Sequence, residues 1–341
     1  MEKRIFRFGI IGCGAIAGIH AQAIGAMEQG TLEAVCDSAP QRAKAFAEQH
    51  GCRWHETPEE LAADPEVDII CICVPSGLHA RYAVMAAKAG KHIVVEKPMA
   101  ITPEQLEEVE QAVNASGVKL AVISQLRFLE SVQRVKSAIE TGELGKIYFA
   151  DCRMRYYRSQ EYYDQGGWRG TWALDGGGAL MNQGIHGIDL VQYIMGGVAS
   201  VYAQCRTMGR RIETEDAANL LVEYKCGAIG VIQGTTLANP GEPRTITISG
   251  EKGTVVLQED TIVRWDVEGS SVETGQTGVG ACRDPMALSF AFHQTQLEDL
   301  VAAIEEDRRP FVDEKEGRKG VEIILAAYRS EKTGEKQHLK V

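Results

Sequence analysis

Between Ile5 and Ile123 the chain alternates short, apolar, β-branched runs with amphipathic stretches. The runs are Ile5 to Ile11, Leu32 to Cys36, Val67 to Val74, His92 to Val95 and Val118 to Ile123. This alternation predicts βαβ units on a parallel sheet. Two of the intervening helices announce their starts. In Thr57-Pro58-Glu59-Glu60 and Thr102-Pro103-Glu104-Gln105 a threonine sits at the N-cap, a proline at the first helical position and an acid or amide three residues after the cap. They predict helices over 58–63 and 103–116.

After Ser124 the texture changes. A helical stretch runs to Ile139, a strand is expected from Lys146 to Tyr157, and a helical pattern covers Gly178 to Met195. Alternating strands with Gly and Pro turns then fill Val198 to Val267, among them Asn219 to Tyr224, Ala228 to Thr235, Thr245 to Ser249 and Thr254 to Leu257. Strands in succession without helices between them predict a largely antiparallel sheet. Glu268 to Gly280 is polar and Gly-rich, the composition of a mobile loop, and helical patterns at Ser289 to Glu306 and Gly317 to Tyr328 close the chain. The expected fold is α/β: a doubly wound domain over 1–123, then an α+β domain with a large, mostly antiparallel open sheet over 124–341.

Length agrees, since 341 residues at roughly 150 per domain give two domains. A formal net charge of −11 repels a phosphate backbone and argues against nucleic acid as a general partner. No run of about 18 apolar residues offers a membrane span, and the opening MEKRIFRFGIIG has no signal-peptide core, so the cytoplasm is the expected location. Nine cysteines without a CxxC pair or zinc spacing read as reduced structural thiols, and no metal is expected.

The first chemical motif is Gly12-Cys13-Gly14-Ala15-Ile16-Ala17, directly after a strand and opening an amphipathic segment that runs to Met27. Small residues there let the chain turn tightly, approach a pyrophosphate and pack helix on strand, with the helix N-terminus facing the phosphates. Asp37 ends the second strand, where a carboxylate can bind ribose hydroxyls. It would repel a 2′-phosphate, and no basic residue follows at once, although Arg42 is near, so NAD is expected rather than NADP. Two more segments end strands of the same sheet: Val74-Pro75-Ser76-Gly77-Leu78-His79 and Val95-Glu96-Lys97-Pro98.

With these segments in order, the chain resembles the glucose-fructose oxidoreductase, inositol dehydrogenase and MocA (Gfo/Idh/MocA) family over essentially its whole length. The resemblance implies that Lys97 is a catalytic lysine beside the nicotinamide and the reacting carbinol, with Pro98 fixing its loop. An ammonium beside a developing alkoxide suits that role chemically. Gly12, Gly14, Ala15, Ile16, Asp37, Val74, Pro75, Ser76, His79, Glu96, Lys97 and Gln125 are the expected cofactor-binding residues. Trp168 and Arg169 join them, because in similar proteins a Trp-Arg-x-x-Trp element approaches the cofactor.

In a helix starting near Gly178, Asn182, His186 and Asp189 would share one face, and an imidazole oriented by a carboxylate is a suitable base for a hydroxyl proton. Similar proteins carry Asp-x-x-x-His here. Asn182 lacks that carboxylate, which shifts the burden to His186 and Lys97, and the Asn-x-x-x-His form is similar to the branch that oxidises C3 of nucleotide-linked sugars or related glycosides. Tyr156, Tyr157, Tyr162, Tyr163, Trp168 and Trp172 crowd one short segment with Arg153, Arg155, Arg158 and Arg169 close by. Aromatic faces suit sugar rings, and the arginines suit an anion such as a uronate or nucleotide sugar.

The reading is an NAD-dependent sugar dehydrogenase, assembled as a homodimer or homotetramer through the C-terminal sheet. Alternatives are an inositol or free-sugar dehydrogenase, a glycoside-cleaving enzyme that oxidises transiently and eliminates the aglycone, and a catalytically silent regulator. Intact Lys97 and His186 speak against the last.

Overall fold

The computed structural model describes residues 4–276 and 289–339. The end of the Gly-rich stretch, from 277 to 280, and Cys282 lie outside the described residues. Two compact units divide the chain: Met1–Gln125 with Leu288–Arg318, and Leu126–Ala287 with Lys319–Val341.

The first unit holds six strands: β1 (Phe6–Ile11), β2 (Gly30–Cys36), β3 (Arg53–His55), β4 (Ile69–Ile72), β5 (His92–Val95) and β6 (Leu120–Val122). Their order is β3-β2-β1-β4-β5-β6 and every neighbouring pair is parallel. This is the doubly wound arrangement, whose order reverses between β1 and β4, the place where such sheets bind ligands. Burial explains the unbroken apolar runs, since every residue of β4 is inaccessible. The two capped helices span Pro58–Ala63 and Pro103–Ser116, and in each the threonine oxygen accepts the backbone N–H three residues on.

One cut near residue 124 does not divide the polypeptide. The helix Phe290–Glu305 returns to the first unit and places Leu297, Leu300 and Val301 in the same core as Ile10, Ala17, Ile24 and Val35. Its buried Gln296 donates to the Val122 carbonyl at 2.7 Å and accepts from Ser124 N–H at 2.9 Å.

The second unit is an eight-stranded sheet of β7 (Ile147–Arg155), β8 (Val198–Arg206), β9 (Ala217–Tyr224), β10 (Ile229–Thr235), β11 (Thr245–Gly250), β12 (Gly253–Gln258), β13 (Thr261–Val267) and β14 (Gln337–His338). The order is β13-β12-β11-β7-β10-β9-β8-β14, with β7 and β10 parallel and the other pairs antiparallel. Burial alternates along β9, as in a sheet covered on one face. Across the other face Tyr202, Leu221 and Val231 lie in register on β8, β9 and β10, and Ile229 pairs with Phe149. All five are exposed, Leu221 at 61% and Ile229 at 54%.

The helical pattern from Gly178 divides into a π-helical turn, Ala179–Gly184, and an α-helix, Ile185–Ile194. The wider turn forms where Gln183 N–H reaches back to the Gly178 carbonyl. A Cβ on Gly178 would lie 2.1 Å from the Glu215 carbonyl oxygen, so only glycine fits that approach.

Candidate active site

β1 delivers the chain to Gly12, whose φ of 94° belongs to glycine, and a Cβ there would stand 2.7 Å from the Cys73 carbonyl oxygen. The helix Ala15–Ala26 then starts at Gly14 with no side-chain cap on its first N–H groups. Gly14 and Ala15 are exposed, Ile16 is half-buried, and nothing stands within 4 Å of a Cβ built on Gly14. Open space before uncapped N–H groups fits a pyrophosphate. Asp37, at the end of β2, accepts from Cys13 N–H and Ala39 N–H at 2.8 Å each, and Arg42 Nη1 reaches it at 3.4 Å. The nearby arginine is thus paired with Asp37. Burial pushes the Cys13 thiol up to about 12, so it is inert packing.

After β4 comes Val74-Pro75, half-exposed, then a buried Ser76 opening a short 3₁₀ turn, then His79 at the head of the helix His79–Lys88. The His79 ring is buried between two carbonyl oxygens, Pro98 at 2.6 Å from Nδ1 and Val74 at 2.8 Å from Nε2. Glu96 follows β5 and is also buried. Its Oε1 accepts from His20 Nε2 at 2.9 Å and lies 3.3 Å from His293 Nε2. Burial alone would raise the Glu96 carboxyl, but the two histidines hold it well below the usual range, while burial lowers His20. The three ligand atoms lie within 4.8 Å of one another, as a divalent cation would need. Among the described residues, however, Nδ1 of both rings is buried without a partner. A metal-ligating histidine normally donates from that nitrogen to an acceptor, so the set fits a hydrogen-bonded carboxylate instead. Lys97 is half-buried beside it, its N–H 3.2 Å from Glu96 Oε2, and the Lys97–Pro98 bond is cis. Gln125 ends the first segment of this unit, its Oε1 buried with no partner among the described residues.

In the second unit His186 sits half-exposed in the first turn of Ile185–Ile194 and Asn182 in the π turn before it. Asp189 does not stand ready as an orienting acid for His186. It is engaged by Arg127, whose Nε and Nη2 lie 2.8 and 2.5 Å from its two oxygens, both side chains buried. A carboxylate does stand beside Asn182, supplied from elsewhere: Asp175 Oδ1 accepts from Asn182 Nδ2 at 2.6 Å.

The aromatic segment is tied to the same turn. Gln183 Nε2 donates to Tyr162 Oη at 2.8 Å and to Asn182 Oδ1 at 3.2 Å, and Arg158 Nε donates to Gln183 Oε1 at 3.0 Å. Arg169 stacks on Tyr162 and on Trp168, 4.6 and 5.1 Å from their ring centres. Arg153 and Arg155 do not join this cluster. They run along β7, where Arg155 meets Gln233 at 2.6 Å.

Residues 6–124 match the oxidoreductase family model with an NAD-binding Rossmann fold, and residues 132–256 match the GFO/IDH/MocA C-terminal domain. The chain belongs to the Gfo/Idh/MocA family.

As a member of this family it is an NAD-dependent oxidoreductase. The WlbA dehydrogenase from Bordetella pertussis, solved with NADH and UDP-GlcNAcA, is 34% identical, with a TM-score of 0.90 over 99% of this chain and 100% of that one. WlbA from Chromobacterium violaceum, with the same ligands, is 32% identical, with a TM-score of 0.89 over 100% and 98%. The inositol 2-dehydrogenase of Rhizobium meliloti is 26% identical over 98% of this chain and 99% of its own.

Sequence reasoning missed Asp175, Arg127, Glu215, His20 and His293. Asp175 directly precedes Gly176-Gly177-Gly178, and an acid against a glycine run was a usable signal. Glu215 accepts from Gly178 N–H and Leu180 N–H, the latter at 2.7 Å, and from Tyr328 Oη at 3.0 Å. It thereby holds the start of the π turn. Apart from Asp175 with Asn182, these pairings join residues far apart in the chain, which no local pattern reports.

Proposed function

We propose that this enzyme oxidises a secondary ring hydroxyl of an anionic, nucleotide-linked sugar, at C3, to a ketone. NAD, when bound, supplies the hydride acceptor. Lys97 and His186 are the proton-handling groups. The ammonium of Lys97 stabilises the developing alkoxide, and the imidazole of His186 takes the hydroxyl proton. Asn182, held by Asp175, orients the hydroxyl, and Asp189 acts through Arg127 by fixing the helix that carries His186. Trp168 and Arg169 are ligand-binding residues.

The observation that carries the substrate class is the chain of hydrogen bonds from Arg158 through Gln183 to Tyr162 and Asn182. It makes an arginine-flanked aromatic surface and the segment before His186 one cluster, as an anionic sugar oxidised there requires. Likeness to WlbA along the whole chain supports the same class. The exposed row of Tyr202, Leu221 and Val231, with Phe149 and Ile229, supports a second copy of the chain as its cover and hence a homo-oligomer. Among the described residues no helix is long and apolar enough to cross a membrane. The described cysteines are free thiols, as in a reducing compartment such as the cytoplasm.

The test is NADH formation, followed by ultraviolet absorbance, with UDP-GlcNAcA, uronates, inositols, free hexoses and glycosides. Net NADH with the nucleotide-linked uronate is expected. Turnover confined to inositols or free hexoses would replace the substrate class, and release of an aglycone without net NADH would make oxidation a transient step. In the active assay Lys97→Ala should lower kcat by about 10²–10⁴ while NAD still binds, and His186→Asn should remove the rise of kcat with pH.

A further inference from the structure

His79 is 1% exposed, and both of its ring nitrogens face oxygens that can only accept. Nδ1 lies 2.6 Å from the Pro98 carbonyl and Nε2 2.8 Å from the Val74 carbonyl. A neutral imidazole carries one N–H, so in either tautomer a nitrogen lone pair would be pressed against an oxygen lone pair. Only the imidazolium donates to both. Burial is the largest influence and lowers the pKa of His79, and Lys97 repels the charge; the two carbonyls and the Glu96 carboxylate act the other way, and it is the acceptor oxygen set on each ring nitrogen that calls for both protons. Glu96 is a fixed anion, since His20 and His293 supply its hydrogen bonds.

We infer that His79 is a positioning residue that keeps both ring protons and ties the turn at Val74, on the cofactor side, to the turn that presents Lys97. One ring sets the spacing of the two segments, and each N–H serves a different step. The bond to Val74 shapes the cofactor turn; the bond to Pro98 fixes the residue after Lys97. This rests on the reading of Lys97 as the catalytic lysine.

Two substitutions separate the bonds. His79→Asn places an amide donor near the Nδ1 position and keeps the Pro98 bond, whereas His79→Gln reaches the Nε2 position and keeps the Val74 bond. With UDP-GlcNAcA as substrate, His79→Asn should raise KM for NAD about tenfold with kcat within about threefold, and His79→Gln should do the reverse. Equal losses of kcat and KM in both variants, tracking an equal fall in Tm, would overturn the proposal. Independently, ¹⁵N NMR of the ring-labelled, NAD-free protein near pH 7, with the signal assigned by its loss in His79→Asn, should show both His79 nitrogens protonated. A neutral tautomer pattern would overturn the proposal even if UDP-GlcNAcA is not turned over. Lys97→Ala in the same assay distinguishes the two failures: normal turnover there removes Lys97 from catalysis, while the ¹⁵N spectrum still decides the state of His79.

Discussion

The guanidinium of Arg127 meets both oxygens of Asp189, at 2.8 and 2.5 Å, in a site where the arginine has no solvent exposure. Its Cζ lies over the Tyr193 ring, 4.6 Å from the ring centre, so one buried cation meets a carboxylate and an aromatic face at once. Breaking such a pair from one side leaves an uncompensated charge inside the protein. Asp189→Asn should therefore lower stability by about 3–5 kcal/mol in urea melts. A loss under about 1 kcal/mol would show that water or a neighbour compensates Arg127.

Glu215 carries a different pH signature. Burial pushes its carboxyl up to about 7, even against the N–H groups of Leu180 and Gly178 and the Tyr328 hydroxyl. The folded protein thus keeps a proton that the unfolded chain releases near about 4.3. From this group stability is greatest below that pH and falls, by at most about 1.4 kcal/mol per unit, up to about 7. Urea midpoints at about pH 5 and about pH 8 should differ less in Glu215→Gln than in the native protein. Glu96, whose carboxyl is depressed, stays ionised across that window and does not confound the comparison. An unchanged slope in the variant would remove Glu215 as its source.

Cofactor choice turns on Asp37. Asp37→Ser should weaken NAD binding roughly tenfold and strengthen NADP binding, because Arg42, now 3.4 Å from the acid, is freed for a 2′-phosphate. Fluorescence titration with both dinucleotides checks this, and retained discrimination would locate the selectivity elsewhere.

The uncovered sheet face gives the fourth expectation. Leu221→Glu combined with Val231→Lys places charges in the centre of the Tyr202-Leu221-Val231 row. Sedimentation should show the native chain as an oligomer and the double variant as a monomer that still binds NAD. A native chain that sediments as a monomer would leave the face to another partner.

Much of the first unit is legible because its signals are local. The strand that leads to Gly12 and the two Thr-Pro caps are written in adjacent residues. β3 escaped because three residues, Arg53 to His55, at a sheet edge form no apolar run. The helix Pro40–His50 escaped because its buried positions are only Ala43 and Ala47, small residues that make a weak stripe. In the second unit the helical period correctly marks Gly178 to Met195 but cannot report that Glu215 captures the first N–H groups and widens the opening turn. For the same reason Asp189 reads as a neighbour of His186 in one dimension and as the partner of Arg127 in three.

The helix Phe290–Glu305 carries one more consequence, for the order in which the protein is made. Leu297, Leu300 and Val301 complete a core whose other members, among them Ile10, Ala17 and Ile24, leave the ribosome near the beginning of synthesis. Until the chain has grown past residue 305, the amino-terminal sheet therefore has an apolar flank with nothing to cover it. The NAD-binding half is begun first and finished last, so a fragment ending at residue 125 is an incomplete body that invites chaperones or aggregation.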